Sequence, residues 1–182
     1  MSRKYKFHNT EGIYFISFAI VKWIDVFTRV IYKDIFVESL RYCQEKKGLD
    51  LFGWCIMSNH IHLMAKARED AKLPDILRDL KKFTSKKLIK AIIDNQKESR
   101  KDWMLKTFQE EGSKNAGNEQ YQFWRHDNHP IEVYSNSVID QKLNYIHDNP
   151  VKAGIVDCPE HYRYSSARNY AGMQGLLKLE IL

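Results

Sequence analysis

Hydrophobic and polar residues change period along this chain. GIYFISFAI, residues 12–20, is a short unbroken run of β-branched and aromatic residues, the pattern of a buried strand. In KDIFVESLRYCQEKKG, 33–48, Ile35, Phe36, Leu40 and Cys43 recur at helical spacing, and Gly48 supplies a stop. LDLFGWCIM, 49–57, is apolar on both faces and predicts a central strand. Ser58-Asn59 is a turn pair, and HIHLMAKA, 60–67, returns as the second strand of a hairpin. LPDILRDLKKFTSKKLIKAII, 73–93, places Leu77, Leu80, Leu88 and Ile92 along one side of a long helix that opens on Pro74. Residues 94–120 are mostly polar and predict a flexible insertion whose only apolar anchor is Trp103-Met104-Leu105. YQFWRH, 121–126, returns to strand character. SNSVIDQKLNYIHDN, 135–149, predicts a helix with Ser and Asn at its start, ended by NPVKAG. Residues 171–182 form an unassigned tail.

The order β-α-β-β-α-β predicts an α+β fold of ferredoxin-like type. An antiparallel sheet carries helices on one face, and an additional C-terminal helix follows. The 182 residues suit one domain, and 43% apolar content suffices for a core. The net charge of +6 and pI of about 9.1 favour an anionic partner such as nucleic acid. Cys43, Cys55 and Cys158 are scattered and form no CxxC pair, which argues against a disulfide framework or a thiolate zinc site. No signal-peptide core or long apolar run occurs, so the expected location is the cytoplasm.

Candidate chemistry changes this picture at two places. Alternation along 60–67 puts His60, His62, Met64 and Lys66 on one side, with Ile61, Leu63, Ala65 and Ala67 on the other. Two imidazoles then project together, within reach of one metal ion. The same pattern also describes two incidental histidines on a sheet face, and two ligands alone make no site. In QKLNYIHDNP, 141–150, Tyr145 and Asn149 are i and i+4 on one helix face, presenting a phenol beside an amide carbonyl. Taken singly, each also reads as an ordinary boundary residue.

Four blocks in order carry a family resemblance: MSNHIHLMAKA, FWRHDNHPIEVYS, KLNYIHDNPVKAGIV and YRYSSARNY. With them the chain resembles the HUH single-tyrosine transposases, and most closely the REP-associated tyrosine transposases of bacteria. The resemblance runs from about GIYFISF to about YSSARNY. It implies that His60-Ile61-His62 is the HUH motif and holds a divalent metal, Mg2+ or Mn2+. It implies that Asn149 completes the metal site and that Tyr145 is the nucleophile. Implied too are a single-stranded or hairpin DNA substrate, cleavage and strand transfer through a 5′-phosphotyrosine, a homodimer, and association with the nucleoid. The other functional class is a non-catalytic or domesticated nucleic-acid-binding protein that keeps the fold. His147 lies two residues from Tyr145 and should point away; His126 and His129 receive no role.

Basic residues supply candidate DNA contacts. Arg78, Lys82, Lys86 and Lys90 follow one another at i+4 steps along the long helix, flanked by Lys81 and Lys87. Such a stripe can track a phosphate backbone or simply be a solvated face. Arg125, Lys142 and Lys152 lie in the family-like blocks, as do Arg163 and Arg168.

Overall fold

Tyr14–Ala19 (β1), Leu49–Ile56 (β2), His60–Ala67 (β3) and Ile131–Glu132 (β4) form one antiparallel sheet in the order β2-β3-β1-β4. This is a computed structural model, and it describes residues 7, 9–114 and 120–181. The β2–β3 hairpin turns where Ser58-Asn59 predicts it, and β3 spans the residues its alternation predicts. Helices α1 (Val30–Lys46) and α2 (Leu73–Asp94) lie against each other. They cover the sheet face that carries Phe18 and, opposite it in register, Ile61. Phe36 of α1 meets Phe18 there, and Trp124 packs against both. Helix α4 (Asn136–Lys152) covers the other face, where Leu143 and Ile146 approach Gly53 of β2. The antiparallel α+β sheet with α1 and α2 on one face agrees with the sequence pattern, and α4 closes a third layer on the other face.

Three local predictions need correcting, and one unassigned segment gains a place. Within 94–120, Lys101–Ser113 is a helix, α3, anchored by buried Met104 and Phe108. Its apolar stripe is only about one residue per turn, so the polar composition hid it. The Gly/Asn-rich patch at 115–119 lies outside the described residues. The segment 121–126 is extended but meets the sheet only at Trp124, opposite Ile20 just beyond β1. Lys81 Nζ holds the chain there by donating to the Arg125 carbonyl and to Asn128 Oδ1, both at 2.7 Å. The Ser17 amide of β1 reaches the Asn128 carbonyl at 3.1 Å, His129 is left-handed at φ 42°, and residue-for-residue pairing resumes at Ile131, opposite Phe15. Helix α4 runs through Pro150 to Lys152 instead of ending at 149. Finally, the tail is packed, with Leu177 buried and the Glu180 amide bonded to the Leu51 carbonyl.

Residues 162–170 finish the sheet on its β2 side. The Ile56 amide donates to the Tyr164 carbonyl and the Ser166 amide to the Trp54 carbonyl. The hydroxyls of Tyr162 and Tyr170 donate to the Ile56 and Phe52 carbonyls. A row of backbone groups that would otherwise be open is thereby satisfied. The short helix α5, Ala167–Tyr170, belongs to this segment.

A buried carboxylate ties the α2–α3 connection to the start of α1. Glu98 is 4% exposed and accepts from Arg29, from Arg100 Nε at 3.1 Å and from the Tyr32 hydroxyl at 3.3 Å. The two guanidiniums overcome burial and hold its carboxyl near pKa 2, against an ordinary 4.5. The folded-state value is depressed, so the network stabilises the fold fully above pH 4.5 and loses this contribution as pH falls toward 2. Glu98→Gln should cost about 2–3 kcal/mol at neutral pH. Denaturant melts at stepped pH should show a flatter acid limb in the variant.

Candidate active site

The site lies between the sheet and α4. His60 and His62 face the same side of β3, as alternation requires, with ring centres 4.8 Å apart. Opposite them in register are Ala19 and Ser17 of β1. Tyr145 reaches down from α4, and its ring centre lies 5.2 Å from that of His62 in an edge-on contact. Phe15 of β1 supports both rings, stacked on His62 at 5.4 Å and edge-on to Tyr145 at 5.8 Å. Residues 83 positions apart in the sequence (62 and 145) thus meet within a single chain. Tyr145 is 44% exposed, so the residue is open to solvent on one side.

Gly53 sets how closely α4 approaches. A side chain there would begin 2.7 Å from Leu143 Cδ2 and 3.5 Å from Ile146 Cδ1. Gly53→Val should cost about 1–3 kcal/mol by overpacking, read as a lower thermal midpoint. Part of the loss should return in a Leu143→Ala background, where the clash is gone.

The two imidazoles differ in surroundings. Asn59 Nδ2 donates to the Asp25 carboxylate at 2.9 Å and to the Trp23 carbonyl at 3.3 Å. Its Oδ1 therefore faces His60 Nδ1, 2.7 Å away, and accepts a hydrogen bond from its N–H. That assignment leaves the lone pair of His60 on Nε2, the arrangement a metal-binding imidazole needs. His62 is 3% exposed, and neither ring nitrogen has a hydrogen-bond partner. Burial, together with His60 and Lys142, pushes its pKa down to about 3, and burial lowers that of His60 also. Both rings are neutral at pH 7. A neutral, buried imidazole with two orphan nitrogens is costly unless something binds it.

Asn149 lies one turn beyond Tyr145, but its Nδ2 donates back to the Tyr145 carbonyl at 2.6 Å. This turn carries Pro150, which cannot donate to the Ile146 carbonyl. The amide thereby stitches a turn that proline loosens, and Oδ1 is the atom it can offer a cation. Lys142 spans Phe15, with Nζ 4.9 Å from the ring centre, and brings a positive charge beside the pair. His147 points elsewhere, bonding Ser166 Oγ at 2.8 Å. Among the described residues, the three-residue group of His, Cys, Asp or Glu close enough for one ion is Cys158, Glu160 and His161, in the loop after α4.

A family model for IS200-like transposases matches residues 16–149, most of the chain, including His60, His62, Tyr145 and Asn149. The chain belongs to the IS200-like transposase family. Its fold is similar to that of a REP-associated tyrosine transposase solved bound to a REP hairpin. That likeness has a TM-score of 0.65 at 12% identity and covers 100% of this chain and 94% of that one. A crystal structure of a putative transposase from Deinococcus radiodurans R1 matches at 18% identity and a TM-score of 0.47, covering 81% of this chain and 95% of that one. No curated protein matches.

The other basic residues of this transposase are dispersed. Helix α2 lies on the far side of the sheet from the histidines. Its Arg78 is paired with Asp75 and Asp79, and its Lys90 with Asp94. Lys82 and Lys86 are exposed, and Lys152 at the end of α4 pairs with Asp148. Lys81 is half-buried, and the desolvation of its ammonium lowers its pKa to about 8. Arg78 and Lys82 do reach Arg125 across a 390 Å³ cleft at the sheet's end. Sequence reasoning missed Asn59, Asp25 and Trp23. Asn59 adjoins the His-X-His pair, where an amide can hold an imidazole in place, and that adjacency is its signal; the other two had none.

Proposed function

We propose that this transposase cleaves single-stranded or hairpin DNA with Tyr145 as nucleophile, assisted by a divalent metal at His60, His62 and Asn149. One observation carries the reading: the Tyr145 ring lies against His62 within the same chain. The donor set fits a metal, since His62 has two orphan nitrogens and His60 has its free lone pair fixed by Asn59. Two imidazoles and one amide oxygen suit manganese better than magnesium on ligand softness. A bound ion would polarise a non-bridging oxygen of the scissile phosphate.

The side chains account for the rest. The Tyr145 oxygen attacks phosphorus, and its proton passes to solvent. The bond from phosphorus to the 3′ oxygen breaks, and that oxygen leaves as a 3′-hydroxyl after taking up a proton. The phosphate stays on Tyr145 as a 5′-phosphotyrosine, ready for rejoining to another 3′-hydroxyl. Lys142 offsets part of the phosphate charge. The substrate's backbone reaches the site along Arg125 and the Arg78–Lys82 end of α2, and Lys86, Lys90 and Lys152 are outlying contacts. A homodimer is compatible with this scheme, but one chain brings Tyr145 to the histidine pair without it.

The test is to incubate the protein with manganese and a hairpin oligonucleotide carrying a single-stranded flank. After nuclease digestion, mass spectrometry should find a nucleotide on the Tyr145 peptide. An adduct on another residue, or none at all, overturns the assignment.

A further inference from the structure

Between β1 and α1 the chain makes a tight turn at Val21–Trp23 that the chemistry above leaves unused. Lys22 and Trp23 both have φ of 54°, a left-handed conformation that bulky residues rarely adopt. The turn is held by the Trp23 amide on the Ile20 carbonyl at 3.1 Å and by Asn59 Nδ2 on the Trp23 carbonyl. Its result is an indole turned out of the core and 52% exposed, in a segment whose neighbours Val21, Ile24 and Val26 are all buried. The indole lies edge-on to His60, with ring centres 5.9 Å apart. The Arg125 guanidinium lies over the ring at 5.3 Å and fixes its plane.

Beside the indole is a 450 Å³ cavity lined by Val21, Lys22, Trp23, Arg125, His126 and Asp127, among others. Its charges are mixed, because Glu111 and Asp127 face it along with the cations. A phosphate would prefer a uniformly positive pocket. An aromatic wall with both donors and acceptors suits the flat face and mixed edge of an unpaired nucleobase. We infer that Trp23 and the Arg125-lined cavity form a seat for one unpaired base flanking the scissile phosphate. The inference rests on the proposed action on DNA and adds the residue that grips the base. Because the indole touches His60, a base stacked on it places its own phosphate toward the histidines.

The test compares two labelled strands of equal length, one of mixed sequence and one wholly abasic, by fluorescence anisotropy at several salt concentrations. Trp23→Ala should weaken binding of the base-containing strand about 5–100-fold, the range for one lost stack. It should leave the abasic strand and the salt dependence unchanged, since no phosphate contact is removed. Trp23→Phe should keep most of the affinity. Equal weakening of both strands, or of neither, overturns the seat. So does a wild-type protein that binds the two strands alike. The Tyr145 adduct assay separates this from the catalytic reading. An adduct with no base-dependent role for Trp23 removes the seat alone, whereas base-dependent binding through Trp23 without an adduct keeps the seat and removes the nucleophile.

Discussion

Tyr145→Phe is expected to abolish the covalent DNA adduct and to reduce cleavage by on the order of 10⁴-fold or more, the scale of losing a nucleophile. The variant deletes one oxygen and keeps the ring. The packing against His62 and Phe15 therefore survives, and α4 stays seated. Because the residue is 44% exposed, stability should change by less than about 0.5 kcal/mol. DNA affinity should stay within about twofold, since the hydroxyl is asked to act only on phosphorus. Gel-resolved cleavage, adduct formation and anisotropy measured together give the pattern. A variant that still cleaves would transfer the role to another group. One that fails to bind DNA would show that the hydroxyl holds the substrate as well, since the ring is retained.

His62→Leu should have opposite effects on stability and activity. The imidazole is buried with both nitrogens unpaired, which costs about 1–3 kcal/mol in the metal-free protein. Leucine fills a similar volume without polar atoms. The thermal midpoint of the metal-free variant should therefore rise, by roughly 2–4 °C for each kcal/mol recovered in a chain of this size. Manganese should raise the midpoint of the wild type, because binding favours the folded state, and leave that of the variant unmoved. Metal-dependent cleavage should fall by about 10³-fold, if several kcal/mol of charge stabilisation are lost. A destabilised variant would mean that His62 is a satisfied core residue. A gain of stability with loss of activity is the usual mark of a functional group held at the fold's expense.

Much of this was legible in the sequence, for identifiable reasons. Strand β3 alternates without a break, and α2 has a continuous apolar stripe, so period alone located both. The His60/His62 pairing followed from the pleat, and the Tyr145 helix from its Ser135 cap, whose hydroxyl accepts from the Val138 amide. What failed depended on distant contacts. The aromatic 121–126 segment is rich in strand formers, yet Phe123 and Trp124 are buried by packing against Phe108 and Phe36. The hold of Lys81 on Arg125 and Asn128 has no local trace. Trp23 received no reading, since nothing in its neighbours announces two successive left-handed residues. The ring contact between Tyr145 and His62 could be stated only as a condition until α4 was seen to lie over β3.

The segment 162–170 along β2 limits how two copies of this chain could associate. Joining sheets rim to rim through β2 would mean peeling that segment away. The loss would include the Ile56–Tyr164 and Trp54–Ser166 bonds and, through Ser166, the hold on His147 of α4. The rim at β4 is only two residues long. A continuous intermolecular sheet is thus disfavoured at both margins. Self-association, where it occurs, is left to helix or loop surfaces, and the contact of Tyr145 with His62 is made without it.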